Sequence, residues 1–470
     1  MCSPKPPSRP RKCHAVGARL LSAWAPLLLS QSPATTEATR PDPVPATPSF
    51  VLILADDLGW ADVGYQGSSF CRTPHLDALA RDGLAFSQAY AAGPVCSASR
   101  AALFSGRAPA RLHLTDVIGL VSNAPSPKDF APIHTRQRLS PKLPTLASAL
   151  HAAGYRTGLI GKWHLGTDPR EHGFEEVAGC TPGGSIPSYF DTKLDGLPPG
   201  EYLTERLTSA AVRFLEAHRE DRFLLVLSHY APHTPLEAPA AAVERWQKRA
   251  TSTAQNHTYA AMVESLDASV GAIRAALERL ELDQRTLLVF LSDNGGLEKY
   301  VEPGHGVVTV TSNAPLRGGK QTLYEGGIRV PLIFHGGPVC RRGTSDWPVV
   351  GTDLPLTLLS LAALAPLEKQ DGIDFAPLLT SGSEPPPRKL YFHYPHLEPV
   401  SVVRDGDWKL LHFWRSGTSQ LYSLRDDPGE TTDLTAAQPE RAEELRAELF
   451  AWLEDVGADV PGWEGRKPPR

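Results

Sequence analysis

Apolar and polar positions along the chain follow two alternating patterns. Continuous apolar runs of strand length stand at residues 50–55, 223–227 and 287–291, and further strands are read at 157–160 and 330–334. Such runs mark strands covered on both faces. Between them, apolar residues recur at helical spacing, as in Leu203, Leu207, Ala211 and Phe214. A longer series holds Met262, Val263, Leu266, Val270, Ile273, Leu277 and Leu280, the spacing of a core-facing helix. Start and stop residues predict shorter helices. Thr73 caps one, with Pro74 at its first position and Gly83 past its end; Gly154 closes another over 143–153. A third runs through Ala101–Leu103 with Ser97 or Ser99 as its cap, and a fourth covers 352–365 with Pro355 in the first turn.

Strands alternating with helices give an α/β architecture. After Pro385, Pro386 and Pro387 the pattern changes. Short strands at 390–394, 402–403 and 408–413, a turn at Asp405-Gly406 and a helix at 439–453 read as a small α+β unit. Residues 108–141 and 180–200 read as loops, rich in proline or glycine. The predicted division is a leader over 1–48, a catalytic domain over 49–385 and a C-terminal antiparallel-sheet plus helix subdomain over 386–470.

Composition narrows the classes. The chain is 41% hydrophobic and 21% charged with a net charge of −5, ordinary for a globular protein. It has no dense basic block past residue 20, which argues against nucleic acid as a partner. Any anion-binding potential must be local. Lys5, Arg9, Arg11, Lys12 and Arg19 precede the apolar run 20–29, as in a signal peptide. Export to a periplasmic, extracellular or lysosome-like compartment is the corresponding expectation. The run is too short to span a bilayer, and no other stretch qualifies. Six cysteines show no metal-binding spacing and no disulfide scaffold.

Chemistry collects where apolar runs end. The run 50–55 stops at Asp56-Asp57, and 287–291 leads through Ser292 into Asp293-Asn294. Acids at the carboxyl ends of buried strands are where α/β folds place ligands. Three carboxylates and one amide suit a hard divalent ion, Ca²⁺ before Mg²⁺, whereas Zn²⁺ would call for His or Cys. Cys96 sits at a helix start, where unpaired N–H groups favour anions, and Arg100 adds a planar charged fork. Lys162 and His164 alternate, so they share one side of an extended segment. His233 lies between Pro232 and Pro235, which stiffen its loop; His229 is the competing candidate, or a core residue. His393 and His396 read as surface-loop residues or as the lining of an entrance.

Five of these stretches, in order, resemble those of the sulfatase family. Cys96-Ser97-Ala98-Ser99-Arg100 is similar to its signature, with Ala98 where many members have Pro. Gly161-Lys162-Trp163-His164-Leu165-Gly166 is similar to its second signature, and Pro232-His233-Thr234-Pro235 to its Pro-His-x-Pro. The acid pairs and the 316–331 stretch carrying Lys320 complete the likeness, which covers roughly residues 49–435. The resemblance implies an alkaline-phosphatase-like fold and hydrolysis of an aryl or carbohydrate sulfate. It also implies a maturation enzyme that converts Cys96 to formylglycine. The hydrated aldehyde would be the nucleophile and would add an oxygen to the metal site. Arg100, Lys162 and Lys320 would stabilise charge, and Asp293 would assist the attack. His233 with Lys320 would protonate the leaving alcohol, and His164 would take the proton that expels sulfate. Ser185 or Ser188 would touch sulfate, while Arg317 and Arg329 would pair with acids such as Glu325. Phosphate or phosphonate ester cleavage and a non-catalytic glycan-binding relative are the alternatives.

Overall fold

Alternation along the buried strands builds two cores from one sheet. In strand Ser49–Ala55, Phe50, Leu52 and Leu54 face one apolar cluster, and Val51, Ile53 and Ala55 the other. In spatial order the sheet is Gly343–Ser345, Leu84–Phe86, Leu332–His335, Thr286–Ser292, Ser49–Ala55, Phe223–Ser228, Arg156–Gly161 and Glu176–Ala178. Leu332–His335 alone runs against its neighbours. Helices Pro74–Asp82, Leu203–Ala217 and His257–Arg279 cover the Val51 face; Cys96–Ser105, Leu146–Ala152 and Asp353–Leu361 cover the Phe50 face. This computed structural model describes residues 47–119, 133–181, 183–190, 192–198, 200–249, 256–302, 304 and 306–461. The expected signal peptide and leader over 1–48 lie outside the described residues except for 47 and 48, as does the middle of the 108–141 loop. Among the described residues no helix is long and apolar enough to cross a membrane.

Local details depart from expectation for identifiable reasons. Thr73 occupies the N-cap position of the first helix, but its side chain makes no capping bond: its hydroxyl donates to Asp77, and the carboxylate of Asp267, from a helix distant in sequence, accepts from His75 N and Leu76 N. Neither Ser97 nor Ser99 caps the helix Cys96–Ser105. Val95 is the capping position, Ser99 Oγ donates to Gly93 O, and Ser97 Oγ accepts from Ile118 N. The 108–141 loop begins with a short helix, Pro109–Leu112.

A separate antiparallel sheet, Lys389–Tyr394, Val400–Asp405, Trp408–Phe413 and Thr418–Ser423, is backed by helix Pro439–Val456. The strand Thr418–Ser423 carries no apolar run and escaped the sequence pattern. The small sheet joins the main body through buried charge. Lys409 Nζ lies 2.9 Å from both Glu325 Oε1 and Glu430 Oε1. Glu325 Oε2 accepts from the Tyr90 hydroxyl at 2.8 Å, and Arg404 donates to the same hydroxyl. Arg329 sits 3.5 Å from Glu325 as expected. Arg317 does not pair with an acid: it donates to Tyr422 Oη and Glu430 O and stacks on Tyr324.

Burial would raise the Glu325 carboxyl, but Lys409, Arg329 and Arg404 overcome it and hold the group below its ordinary value of 4.5. Its stabilisation is therefore complete above about pH 4.5 and is lost as pH falls through the depressed value. Lys409→Met should lower the unfolding free energy by roughly 3–5 kcal/mol, because it strands two buried carboxylates. Urea denaturation at neutral pH measures this, and the gap between variant and wild type should narrow as the pH is lowered.

Candidate active site

Four neighbouring strands end together and deliver the polar residues to one place. Ala55 pairs with Ser292, Leu54 with Ser228, and Gly161 with Ser228. The register continues past the strands: Asp56 N donates to Ala231 O, Asp293 N to Ala55 O, and Lys162 N to Ser228 O. Asp56 and Asp293 therefore stand side by side although 237 residues of chain separate Asp57 from Asn294. Asp57 and His164 both adopt positive φ, 66° and 58°. Non-glycine residues accept that conformation only where surrounding contacts enforce it.

Each buried acid has a cation. Lys162 Nζ lies 2.6 Å from Asp56 Oδ2, and Lys320 Nζ 2.7 Å from Asp57 Oδ2. Arg100 clasps Asp293 Oδ2 through Nε at 2.9 Å and donates Nη1 to Lys162 O and Ser228 Oγ. Here the expected fork for an oxyanion is instead a fully buried strut between strand ends. Asn294 Nδ2 donates to Asp57 Oδ1 at 2.8 Å, and His233 Nε2 stands 3.6 Å from Asp57 Oδ2. His229, the competitor of His233, is a core residue bonded to Ser269 Oγ.

The cation fit rests on orphaned oxygens. Asp56 Oδ1 and Asn294 Oδ1 are buried without a hydrogen-bond donor, a rare and costly state for acceptors. Ligand atoms of Asp56, Asp57 and His233 lie within 4.8 Å of one another. Burial pushes the Asp293 carboxyl up, and the neighbouring Asp56 charge adds to this. At Asp56 burial acts upward too, but Lys162, His233 and Arg100 hold the carboxyl well below the usual range. The crowded acids, the amide and the two unpaired oxygens fit a hard divalent ion.

Cys96 comes from the start of helix Cys96–Ser105. Its Sγ lies 3.3 Å from His164 Nδ1. His164 Nε2 meets Ile118 O at 3.0 Å, so Nε2 carries the proton and Nδ1 presents a lone pair. Burial, with Lys162 adding, lowers His164 to about 3, and the imidazole is neutral. Gly184 lies flat on the ring: a Cβ there would sit 2.1 Å from His164 Cγ. Burial also raises the Cys96 thiol despite Lys162 and Lys320. A neutral, 1% exposed thiol is a poor nucleophile as it stands.

Other candidates are placed as follows. Ser188 Oγ donates to Glu237 and is occupied there; Ser185 is exposed, one residue from Gly184. His393 is buried between Ser401 and Asp459 O, and His396 bonds Thr115 Oγ1, so neither is a loose surface histidine. The Ile118 carbonyl and Gly184 were missed. A backbone acceptor has no sequence signature, and Gly184 is one of several glycines in its loop. Cys71, Cys96, Cys180 and Cys340 are all free.

Comparison with known proteins agrees with this geometry. The profile of the sulfatase family matches residues 48–364, and that of the N-sulphoglucosamine sulphohydrolase C-terminal region matches 319–459. The N-acetylgalactosamine-6-sulfatase of Sus scrofa is 33% identical over 479 residues, covering 89% of this chain and 87% of that one. The arylsulfatase A of Homo sapiens is 32% identical over 467 residues, 85% and 86% of the two chains. Among solved structures, Ps i-CgsB in complex with k-i-k-neocarrahexaose matches with a TM-score of 0.75 at 29% identity, covering 87% of this chain and 93% of that one. The large mixed sheet between helices, with its small C-terminal sheet, is the alkaline-phosphatase-like architecture.

Divalent cation should raise the thermal midpoint, by an amount equivalent to about 2.7 kcal/mol at a hundredfold excess over Kd. Asp57→Asn should abolish that response, as read by differential scanning calorimetry with and without Ca²⁺.

Proposed function

The chain belongs to the sulfatase family and hydrolyses sulfate esters, and from that premise we propose that it cleaves a carbohydrate sulfate in the pocket between Cys96 and the acid cluster. The observation that carries this reading is the pairing of Cys96 Sγ with the lone pair of a neutral, locked His164. The names of relatives that act on N-acetylgalactosamine-6-sulfate, and a neighbour bound to a carrahexaose, support a sugar as the alcohol.

Asp56, Asp57, Asp293 and Asn294 would hold a hard divalent cation, Ca²⁺ in preference to Mg²⁺. When bound, the ion supplies Lewis-acid polarisation of a sulfate oxygen. Cys96, converted to formylglycine by a maturation enzyme, supplies the attacking oxygen as its hydrate. Lys162 and Lys320 keep cationic ammonium groups at the pocket, where preorganised charge stabilises the developing negative charge without reorganisation. Asp293, clasped by Arg100, is positioned to assist the attack. His164 Nδ1 is the atom that accepts a proton from residue 96. His233 is the most solvent-exposed member, with 23% of its side chain accessible. That exposure supports a role on the leaving-group side. Its Nδ1 donates to Thr234 O, so Nε2 can pass a proton to the departing alcohol only from the imidazolium form, which Asp57 favours and which burial and the Lys320 ammonium oppose. The basic and apolar N-terminal run supports export as the setting.

Peptide mass spectrometry across Cys96, after co-expression with a formylglycine-generating enzyme, should show the aldehyde. Cys96→Ala should lower sulfatase kcat by at least about a thousandfold. His233→Ala should cost about 10²–10⁴-fold on a sugar sulfate and less on nitrophenyl sulfate, whose leaving group needs less protonation. Full activity in Cys96→Ala, or faster turnover of the matching phosphate ester, would overturn the reading.

A further inference from the structure

The rim of the pocket carries a cationic strip without ion pairs among the described residues. Residues 133–142 include Arg136, Arg138, Lys142 and His134 and no acid, in a chain whose net charge is −5. All four are exposed. Among the described residues none of them has an ion-pair partner, whereas most exposed arginines elsewhere do, such as Arg81, Arg170, Arg245 and Arg279. Exposed cations with no acid partner among the described residues contribute a local field opposite in sign to the protein's net charge.

The strip is tied to the catalytic wall by its backbone. Leu139 N donates to Leu165 O at 2.9 Å, next to His164, and Arg136 N donates to His113 O at 2.7 Å. Thr135 Oγ1 accepts from Thr115 N and Asp116 N at the start of the segment whose Ile118 carbonyl holds His164. Gly166 packs so closely that a Cβ there would lie 2.2 Å from Gln137 O. The cations therefore border the same carboxyl-terminal rim of the sheet as the pocket, yet none of them belongs to the acid–cation cluster inside it. A substrate with one sulfate would be met by Lys162 and Lys320 and would leave the strip unused.

We propose that residues 133–142 form an outer subsite for a second anionic group, sulfate or carboxylate, on a sugar chain whose scissile sulfate lies at Cys96. The proposal rests on the sulfatase reading and adds a substrate class to it: an oligosaccharide with more than one negative charge. Several weak, screened contacts at the rim raise affinity and capture rate more than they alter the chemical step.

The triple variant Arg136→Ala/Arg138→Ala/Lys142→Ala tests this, with Arg136→Glu/Arg138→Glu as a second arm. Matured enzyme is assayed on a disulfated oligosaccharide, its monosulfated counterpart and nitrophenyl sulfate. Expected for the triple variant is a rise in KM of about tenfold on the disulfated substrate, the sum of a few exposed ion pairs. Its kcat should be unchanged, and nitrophenyl sulfate turnover should stay within about twofold of wild type. In wild type alone, the advantage of the disulfated sugar should fall as salt is raised. An unchanged KM, or an equal loss on all three substrates, would overturn the proposal. Binding of the same oligosaccharide is measured by calorimetry independently of turnover. If matured wild type releases sulfate from none of the three substrates, the sulfatase reading fails while binding still decides the strip. Equal affinity for a single-stranded DNA of matched charge would overturn the assignment to a sugar.

Discussion

Charge compensation in a dry place is the constraint on which this architecture depends. Asp56, Asp57 and Asp293 are almost wholly buried, and so are Lys162, Lys320 and Arg100. None of the six could be buried alone, because an isolated ion loses far more hydration than packing returns. Each pair also joins segments far apart in sequence: Lys162 to Asp56 across 106 residues, Arg100 to Asp293 across 193, and Lys320 to Asp57 across 263. Neutralisation thus closes the ends of the strands over one another. The acceptors it leaves over, Asp56 Oδ1 and Asn294 Oδ1, are those the pocket can offer to a ligand.

Much of this was legible because it lies at transitions in pattern. Strands buried on both faces cannot hide an acid, so Asp56-Asp57 and Asp293-Asn294 had to mark the ends of their runs. The parallel register then brought those ends together. What stayed illegible was identity of partner. Arg100 was readable as a charged fork, but not as a clasp on Asp293. Thr73 was a plausible cap, yet Asp267 from another helix took the task. Side-chain choice among several polar neighbours depends on distance in space, which composition does not record. Backbone roles, such as the Ile118 carbonyl that orients His164, leave no trace in residue type at all.

Two buried ionic clusters divide the work of the molecule. The one at the strand ends is incomplete, with orphaned oxygens and a carboxyl at Asp293 that burial pushes up. The one around Lys409 is more nearly closed, with Lys409 and Tyr90 bonded to Glu325, Arg404 to Tyr90 and Lys409 beside Glu430, whose Oε1 is its one acceptor left without a hydrogen bond among the described residues. The contrast is physical. Groups that must meet a ligand stay partly unsatisfied, and groups that only hold layers together satisfy one another. Glu325 links the two, since it opens the helical turn Glu325–Ile328 a few residues beyond Lys320.

The sequence distance of those pairs bears on how a growing polypeptide is completed. Synthesis from the amino end delivers Asp57 long before Lys320, and Glu325 84 residues ahead of Lys409. A nascent chain that has emerged only as far as Asn294, just past strand Thr286–Ser292, already contains every acid of the pocket but lacks one of its ammonium groups. Closure of the strand ends must therefore wait for late translation, and folding dominated by such long-range contacts is slow. Partly emerged chains are the form in which the region around Cys96 stays open longest.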